Sequence, residues 1–225
     1  MRLVLLSDTH CKHPAVPDGD ILIHAGDLTL DGSFREIAAE GNWLRSLPHK
    51  HKVLIAGNHD ILFERNQADA LVALGPGIVY LQDNEVKLEG LRIYGSPWQP
   101  EFCNWAFNLE RGKALERVWR KIPEGLDILI THGPPYSYLD KGLFSREGKP
   151  VHSLRERLLK NEPLGCKDLR NRIREVPPKL HVFGHIHYGY GQEWMRDRDI
   201  LLVNAAQGYH LEHKPVVLDW PLVRP

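Results

Sequence analysis

Short apolar runs that stop abruptly at Gly, Pro, Asp or Asn recur along this chain of 225 residues, and they constrain its fold more than any other feature. They cover residues 3–6, 20–24, 52–56, 86–88, 91–94, 127–130, 180–183, 200–203 and 216–218. Most are apolar at consecutive rather than alternate positions, the pattern of strands buried on both faces. Between several of them lie stretches with helical spacing, at 33–46, 65–74, 110–122 and 165–175, so the chain reads as α/β. Ser33 is placed to cap the first helix, with Glu36 three residues on to complete a capping box. No repeat, low-complexity tract or shift in composition divides the sequence, and a single domain over 1–225 is expected.

Composition narrows the class. Apolar residues make up 42% of the chain, enough for a core that folds unaided, and 29 Lys+Arg balance 29 Asp+Glu, which excludes general disorder. A net charge of zero argues against long nucleic acid as the main partner, since that affinity rests on massed cations. Three widely spaced cysteines, Cys11, Cys103 and Cys166, suggest neither a disulfide framework nor a zinc–thiolate site. The first apolar run is cut off by Ser7 and Asp8, too early for a secretory signal or a membrane span. A cytoplasmic setting with no membrane attachment is expected. The unusual count is thirteen histidines.

Their placement carries the chemistry. The run at 3–6 is followed by SDTH (Asp8, His10), that at 20–24 by AGD (Asp27), and that at 52–56 by GNHD (Asn58, His59, Asp60). THGPP (His132) follows 127–130, and GHIH (His185, His187) follows 180–183. In an open α/β sheet the carboxyl ends of the strands form the crevice where ligands bind, which would bring the five motifs together. Asp8 and His10, like His185 and His187, are two apart, and such residues point to the same side of an extended chain. Gly26, Gly57 and Gly184 stand directly before candidate ligands, where a tight turn needs permissive backbone angles.

Asp8, His10, Asp27, Asn58, His132, His185 and His187 are too many ligands for one four-coordinate ion and suit two divalent ions sharing a carboxylate. Asp27, alone at its strand end, fits the shared role. Two divalent ions outweigh the charges of Asp8 and Asp27, so an anionic substrate is expected. A phosphate ester answers to that, because paired cations clamp its oxygens and supply a hydroxide for in-line attack. His59 is left over from the ligand count, close enough to protonate the leaving alkoxide, with Asp60 placed to fix its tautomer.

The ordered set Asp8-x-His10, Gly26-Asp27, Gly57-Asn58-His59-Asp60, His132 and Gly184-His185-x-His187 resembles the calcineurin-like metallophosphoesterases, over almost the whole chain. The segments GSPWQPEFCNWAFN, THGPPYSYLDK and HVFGHIHYGYG are further similar to the small metallophosphoesterase-domain subfamily. The resemblance implies a four-layer α/β/β/α sandwich with two divalent metal ions at the strand ends, manganese preferred, with iron, zinc, nickel or magnesium as alternatives. It assigns Asp8, His10, Asp27 and His187 to one ion, Asp27, Asn58, His132 and His185 to the other, and proton donation to His59. The expected activity is hydrolysis of a small phosphodiester, a cyclic or other nucleotide being one form of it. A diester is preferred over a monoester because the motifs contain no Arg to hold a dianion. The rivals are a non-catalytic metal-binding scaffold of the same fold, a phosphomonoesterase and a nuclease. No obligate protein partner is evident.

Other features read more plainly. His24 and His181, inside apolar runs, are expected to be satisfied core histidines, and His13, His49, His51 and His152 to lie at the surface. A substrate-side pair of His210 and His213 is the less favoured reading of GYHLEHKP. Trp98, Phe102, Trp105 and Phe107 are expected to form the private core of a long loop at 95–108, with a base-stacking platform as the alternative. Residues 141–174 carry ten basic and four acidic side chains, a local net of +6 (10 − 4), read as a solvated face with a flanking loop rather than a phosphate-facing lid.

Overall fold

The computed structural model describes residues 1–142 and 163–223. Two sheets carry the architecture. The first runs β13 (Val216–Asp219), β1 (Arg2–Leu6), β2 (Ile21–Ala25), β3 (His51–Ile55), β4 (Val79–Tyr80), parallel throughout except for β13. The second runs β11 (Gly191–Met195), β12 (Ile200–Asn204), β10 (Leu180–Phe183), β9 (Ile128–Thr131), β6 (Leu91–Ser96), β5 (Asn84–Leu88), parallel in the middle and antiparallel at both edges. β7 (Gln99–Pro100) and β8 (Asn108–Leu109) form a small separate ladder.

Consecutive apolar residues are needed because each central strand is covered on both sides. Leu3, Leu5, Ile21, Ile23, Val53 and Ile55 face Ile93, Ile128, Ile130, Leu180 and Val182 of the other sheet. The residues between them turn outward. Val4, Leu6, Leu22 and Leu54 pack on α1 (Phe34–Ser46), α2 (Ile61–Arg65) and α3 (Gln67–Leu74) through Ile37, Leu44, Phe63 and Leu74. Leu129, Phe183 and Leu202 pack on α4 (Lys113–Trp119) and α5 (Lys167–Glu175) through Leu115, Trp119, Leu169 and Ile173. The result is the expected α/β/β/α sandwich. Each fully buried aliphatic side chain contributes about 1.5–3 kcal/mol, against under about 1 kcal/mol for an exposed ion pair, so these three apolar layers dominate stability.

All the predicted strands are present, and the differences are local. β11 was not anticipated because Gln192 and Glu193 face solvent on an edge strand, which breaks the apolar run. The helix expected at 65–74 is two, since Asn66 leaves the helical conformation and its side chain accepts from the amide of Asp69. The capping box is half formed: Ser33 Oγ accepts from the amide of Glu36, but the Glu36 carboxylate turns back to the amides of Leu30 and Asp31 at 3.0 and 2.9 Å. His24 and His181 are buried, with Nε2 on Thr9 and Thr131 at 3.0 and 2.8 Å but Nδ1 of each buried without a partner, so they are core histidines satisfied at one nitrogen only, and burial pushes both down to about 3. His49, expected at the surface, is buried beside the carbonyl of Pro17. Much of the basic stretch, with Arg146, Lys149, Arg155, Arg157 and Lys160, lies outside the described residues, as does His152. Among the described residues no helix is long and apolar enough to cross a membrane.

Candidate metal centre

The chain leaves its strands in a costly conformation at this edge. Asp8, His10, Asp27 and His185 have φ of 56°, 47°, 54° and 65°, in the left-handed region that non-glycine residues rarely enter. Such positions cost on the order of 1–3 kcal/mol each and persist where the surroundings over-determine them. Of the three glycines, only Gly26 takes a positive φ; the other two serve close approach. A Cβ on Gly184 would stand 2.1 Å from Asp8 Oδ2, and one on Gly57 would stand 2.2 Å from Asp27 Oδ1.

Three groups of potential ligand atoms result, each within 4.8 Å internally: Asp8, His10 and His187; His10, Asp27 and His59; Asp27, His132 and His185. Asp27 is shared by two of them. Asn58 adds its Oδ1, 3.0 Å from Nε2 of His132. The side-chain nitrogen of Asn58 is buried without a partner, so this amide is turned oxygen-inward toward the cluster. The seven candidate ligands therefore converge, with nitrogen and oxygen donors and no sulfur, a set that suits borderline and hard divalent ions.

One segment orients three of the histidines. His132 Nδ1 lies 3.0 Å from the carbonyl of Ala25, His10 Nδ1 3.3 Å from that of Thr29, and His59 Nδ1 2.6 Å from that of Leu30. A carbonyl only accepts, so each Nδ1 carries the hydrogen and each Nε2 is turned toward the cluster. Main-chain amides brace the carboxylates: His185 donates to both oxygens of Asp8, and His59 to Asp27 Oδ1 at 2.8 Å.

Asp60 differs from its expected role. Its carboxylate accepts from the amides of Leu28, Thr29 and Gly57 and from Thr29 Oγ1, and the tautomer of His59 is fixed by the Leu30 carbonyl instead. Asp60 clamps the segment that carries the orienting carbonyls, and so acts on His59 through the backbone. Burial pushes its carboxyl up, with the charge of Asp27 adding to that and the donors from Thr29 and Gly57 opposing.

Electrostatics are strongly coupled. Burial alone would raise Asp27, but the charge of His132 holds it well below the usual carboxylate range. Burial would lower His132, yet Asp27 holds it up at about 9. His187 is raised by its hydrogen bond to Asp8 against the effect of burial, while burial lowers His185 to about 3 and keeps it neutral. An imidazole must lose its Nε2 proton to ligate. His132 is protonated below about 9 in the metal-free chain, so adding Mn²⁺ near pH 7 is expected to release protons, and affinity to rise with pH up to about 9. A pH-indicator titration in weak buffer checks this; binding without proton release would contradict it.

The strand-end motifs do not include every group at the centre. Tyr209 stacks on His10, with ring centroids 4.4 Å apart, and meets His187 at 4.8 Å. Trp105 packs on His59 at 4.2 Å, and Phe102 meets His185 edge-on at 5.4 Å. The loop's aromatics are thus divided: Trp98 and Phe107 pack inward against each other, whereas Phe102 and Trp105 turn to the histidines. His213 stacks on Tyr190, and neither it nor His210 joins a ligand group. Extending the strand-end argument to the run at 200–203 would have led to Tyr209, because β12 feeds the segment that carries it.

Known proteins are similar to this chain in sequence and in fold. Metallophosphoesterase domain-containing protein 1 of Homo sapiens and that of Mus musculus are each 41% identical over 251 residues, covering 99% of this chain and 72% of the relative. The fold is similar to that of phosphopantetheinyl hydrolase from Mycobacterium tuberculosis, with a TM-score of 0.60 at 16% identity, covering 99% of this chain and 98% of that one. The profile described as calcineurin-like phosphoesterase matches residues 1–189, a span that contains all five strand-end motifs. On that match and that identity, the chain belongs to the calcineurin-like phosphoesterases, a family that depends on divalent metal ions.

Proposed function

We propose that this chain hydrolyses a small phosphodiester, a cyclic or other nucleotide being one form of it, at the cluster of Asp8, His10, Asp27, Asn58, His132, His185 and His187. The observation that carries the reading is the sharing of Asp27 between two donor groups, one of which includes His59. Two divalent cations, manganese preferred, supply charge for the phosphoryl oxygens and an activated water when bound there. The chain's own residues do the rest. Asp8 and Asp27 are buried and held ionised, and the carbonyls of Ala25, Thr29 and Leu30 fix three imidazoles. His59, with Nδ1 engaged, turns Nε2 to the substrate and donates its proton to the leaving-group oxygen. The absence of Arg from the motifs supports a diester, and zero net charge weighs against long nucleic acid. Four candidate ligands in left-handed backbone favour a working site over a scaffold. The free cysteines suit a cytoplasmic setting.

Metal-loaded protein is expected to cleave bis-p-nitrophenyl phosphate; inactivity with every one of manganese, iron, zinc, nickel and magnesium would refute the reading. His59→Ala should lower turnover by roughly 10²–10⁴-fold, more for a poor leaving group than for p-nitrophenolate. Equal losses on both would remove His59 as the proton donor.

A further inference from the structure

The family match ends at residue 189, yet the chain returns to the centre beyond it. After β12 it crosses from the second sheet to the first: Ala206 bridges Ser7, and the amide of Gln207 donates to the carbonyl of Ser7 at 2.8 Å. A turn at Gly208, with φ of 78°, closed by the amide of Leu211 on the carbonyl of Gly208, then presents Tyr209. Besides its contact with His187, three others hold that residue. Its ring lies on His10 with only 18° between the planes, its carbonyl accepts from Lys12 Nζ, and its hydroxyl stands 3.5 Å from Nε2 of His59. The side chain is fixed but not hidden, since the residue is 42% exposed.

Nε2 is the nitrogen of His59 left to act, because Nδ1 is engaged with Leu30. The Tyr209 hydroxyl stands beside that nitrogen, so a group that meets Nε2 also meets the hydroxyl. We propose that Tyr209 is a substrate-contacting catalytic residue on the leaving-group side, a proposal that rests on the phosphodiesterase reading above. As a hydroxide oxygen forms its bond to phosphorus and the bond to the leaving oxygen breaks, the electron pair of the broken bond passes to that leaving oxygen. His59 enters the step as the imidazolium, the leaving oxygen takes its Nε2 proton, and His59 is left as the neutral imidazole with its hydrogen on Nδ1. Tyr209 keeps its own proton and donates a hydrogen bond to the same oxygen while its charge develops, a contact strongest in the transition state. The contribution comes from a segment beyond the residues that the family profile matches.

Tyr209→Phe keeps the ring on His10 and removes only the hydroxyl. With metal-loaded protein it should lower kcat on diphenyl phosphate by roughly 10- to 100-fold, as loss of a hydrogen bond to a charged oxygen does, with KM little changed. The loss on bis-p-nitrophenyl phosphate should be smaller, because its leaving oxygen gathers less charge. Metal content and thermal midpoint should match those of the wild type. Equal activity of the two proteins, equal losses on both esters, or loss of metal from the variant would each overturn the proposal while leaving the phosphodiesterase reading intact. A wild type that cleaves neither ester would overturn both.

Discussion

Asp27→Ala is expected to lower hydrolysis of bis-p-nitrophenyl phosphate on the order of a thousandfold or more, because it removes a donor from two ligand groups at once. It also removes the negative charge that holds His132 up and the acceptor for the amide of His59. Metal analysis should show fewer bound ions per chain. Asp27 sits at a φ of 54°, where alanine is strained, so Asp27→Asn is the companion variant. Asparagine tolerates that backbone, keeps the shape and discards the charge. Full activity in either variant would remove the shared carboxylate from the mechanism.

Asp60→Ala should be the most damaging of these changes to the fold. The carboxylate is fully buried and receives four hydrogen bonds, from the amides of Leu28, Thr29 and Gly57 and from Thr29 Oγ1. Truncation leaves those donors without an acceptor and should cost roughly 3–5 kcal/mol, which for a chain of this size lowers the melting midpoint by on the order of 10 °C. The segment so loosened carries the carbonyls of Thr29 and Leu30, and activity should fall with it even at temperatures where the variant is folded. Asp60→Asn, which keeps one acceptor oxygen, should lose less of both. Calorimetry beside kinetics separates the two effects; an Asp60→Ala variant as stable as the wild type would refute the clamp.

The layers and the convergence of the candidate ligands were legible because they are written in side-chain type. Leu3 to Leu6 and Leu180 to Phe183 are short apolar runs bounded by turn residues, the pattern of doubly buried strands, and five runs of this kind are followed by metal-ligating residue types such as Asp8, Asn58, His132 and His187. What was not legible is carried by the backbone. Carbonyls of Ala25, Thr29 and Leu30 orient histidines whatever side chains those residues bear. Asp60 was assigned to its neighbour His59 because its true partners, Leu28 and Thr29, lie about 30 positions upstream and offer mainly amides. Tyr209 follows a run that ends without an ionisable residue, and β11 shows only an edge strand's mixed polarity.

The candidate ligands are divided between the two sheets. Asp8, His10, Asp27 and Asn58 follow strands of the first, and His132, His185 and His187 follow strands of the second. Hydrogen bonds from His185 to Asp8 and from His132 to Ala25 are among the crossties. How far the two halves stand apart is set by the apolar layer beneath, where Leu5 and Ile23 meet Ile130 and Val182. Packed interiors barely compress. That greasy layer is therefore a gauge block for the cluster above it, and a methyl group added or removed there would shift the candidate ligands of one sheet against those of the other without touching any of them.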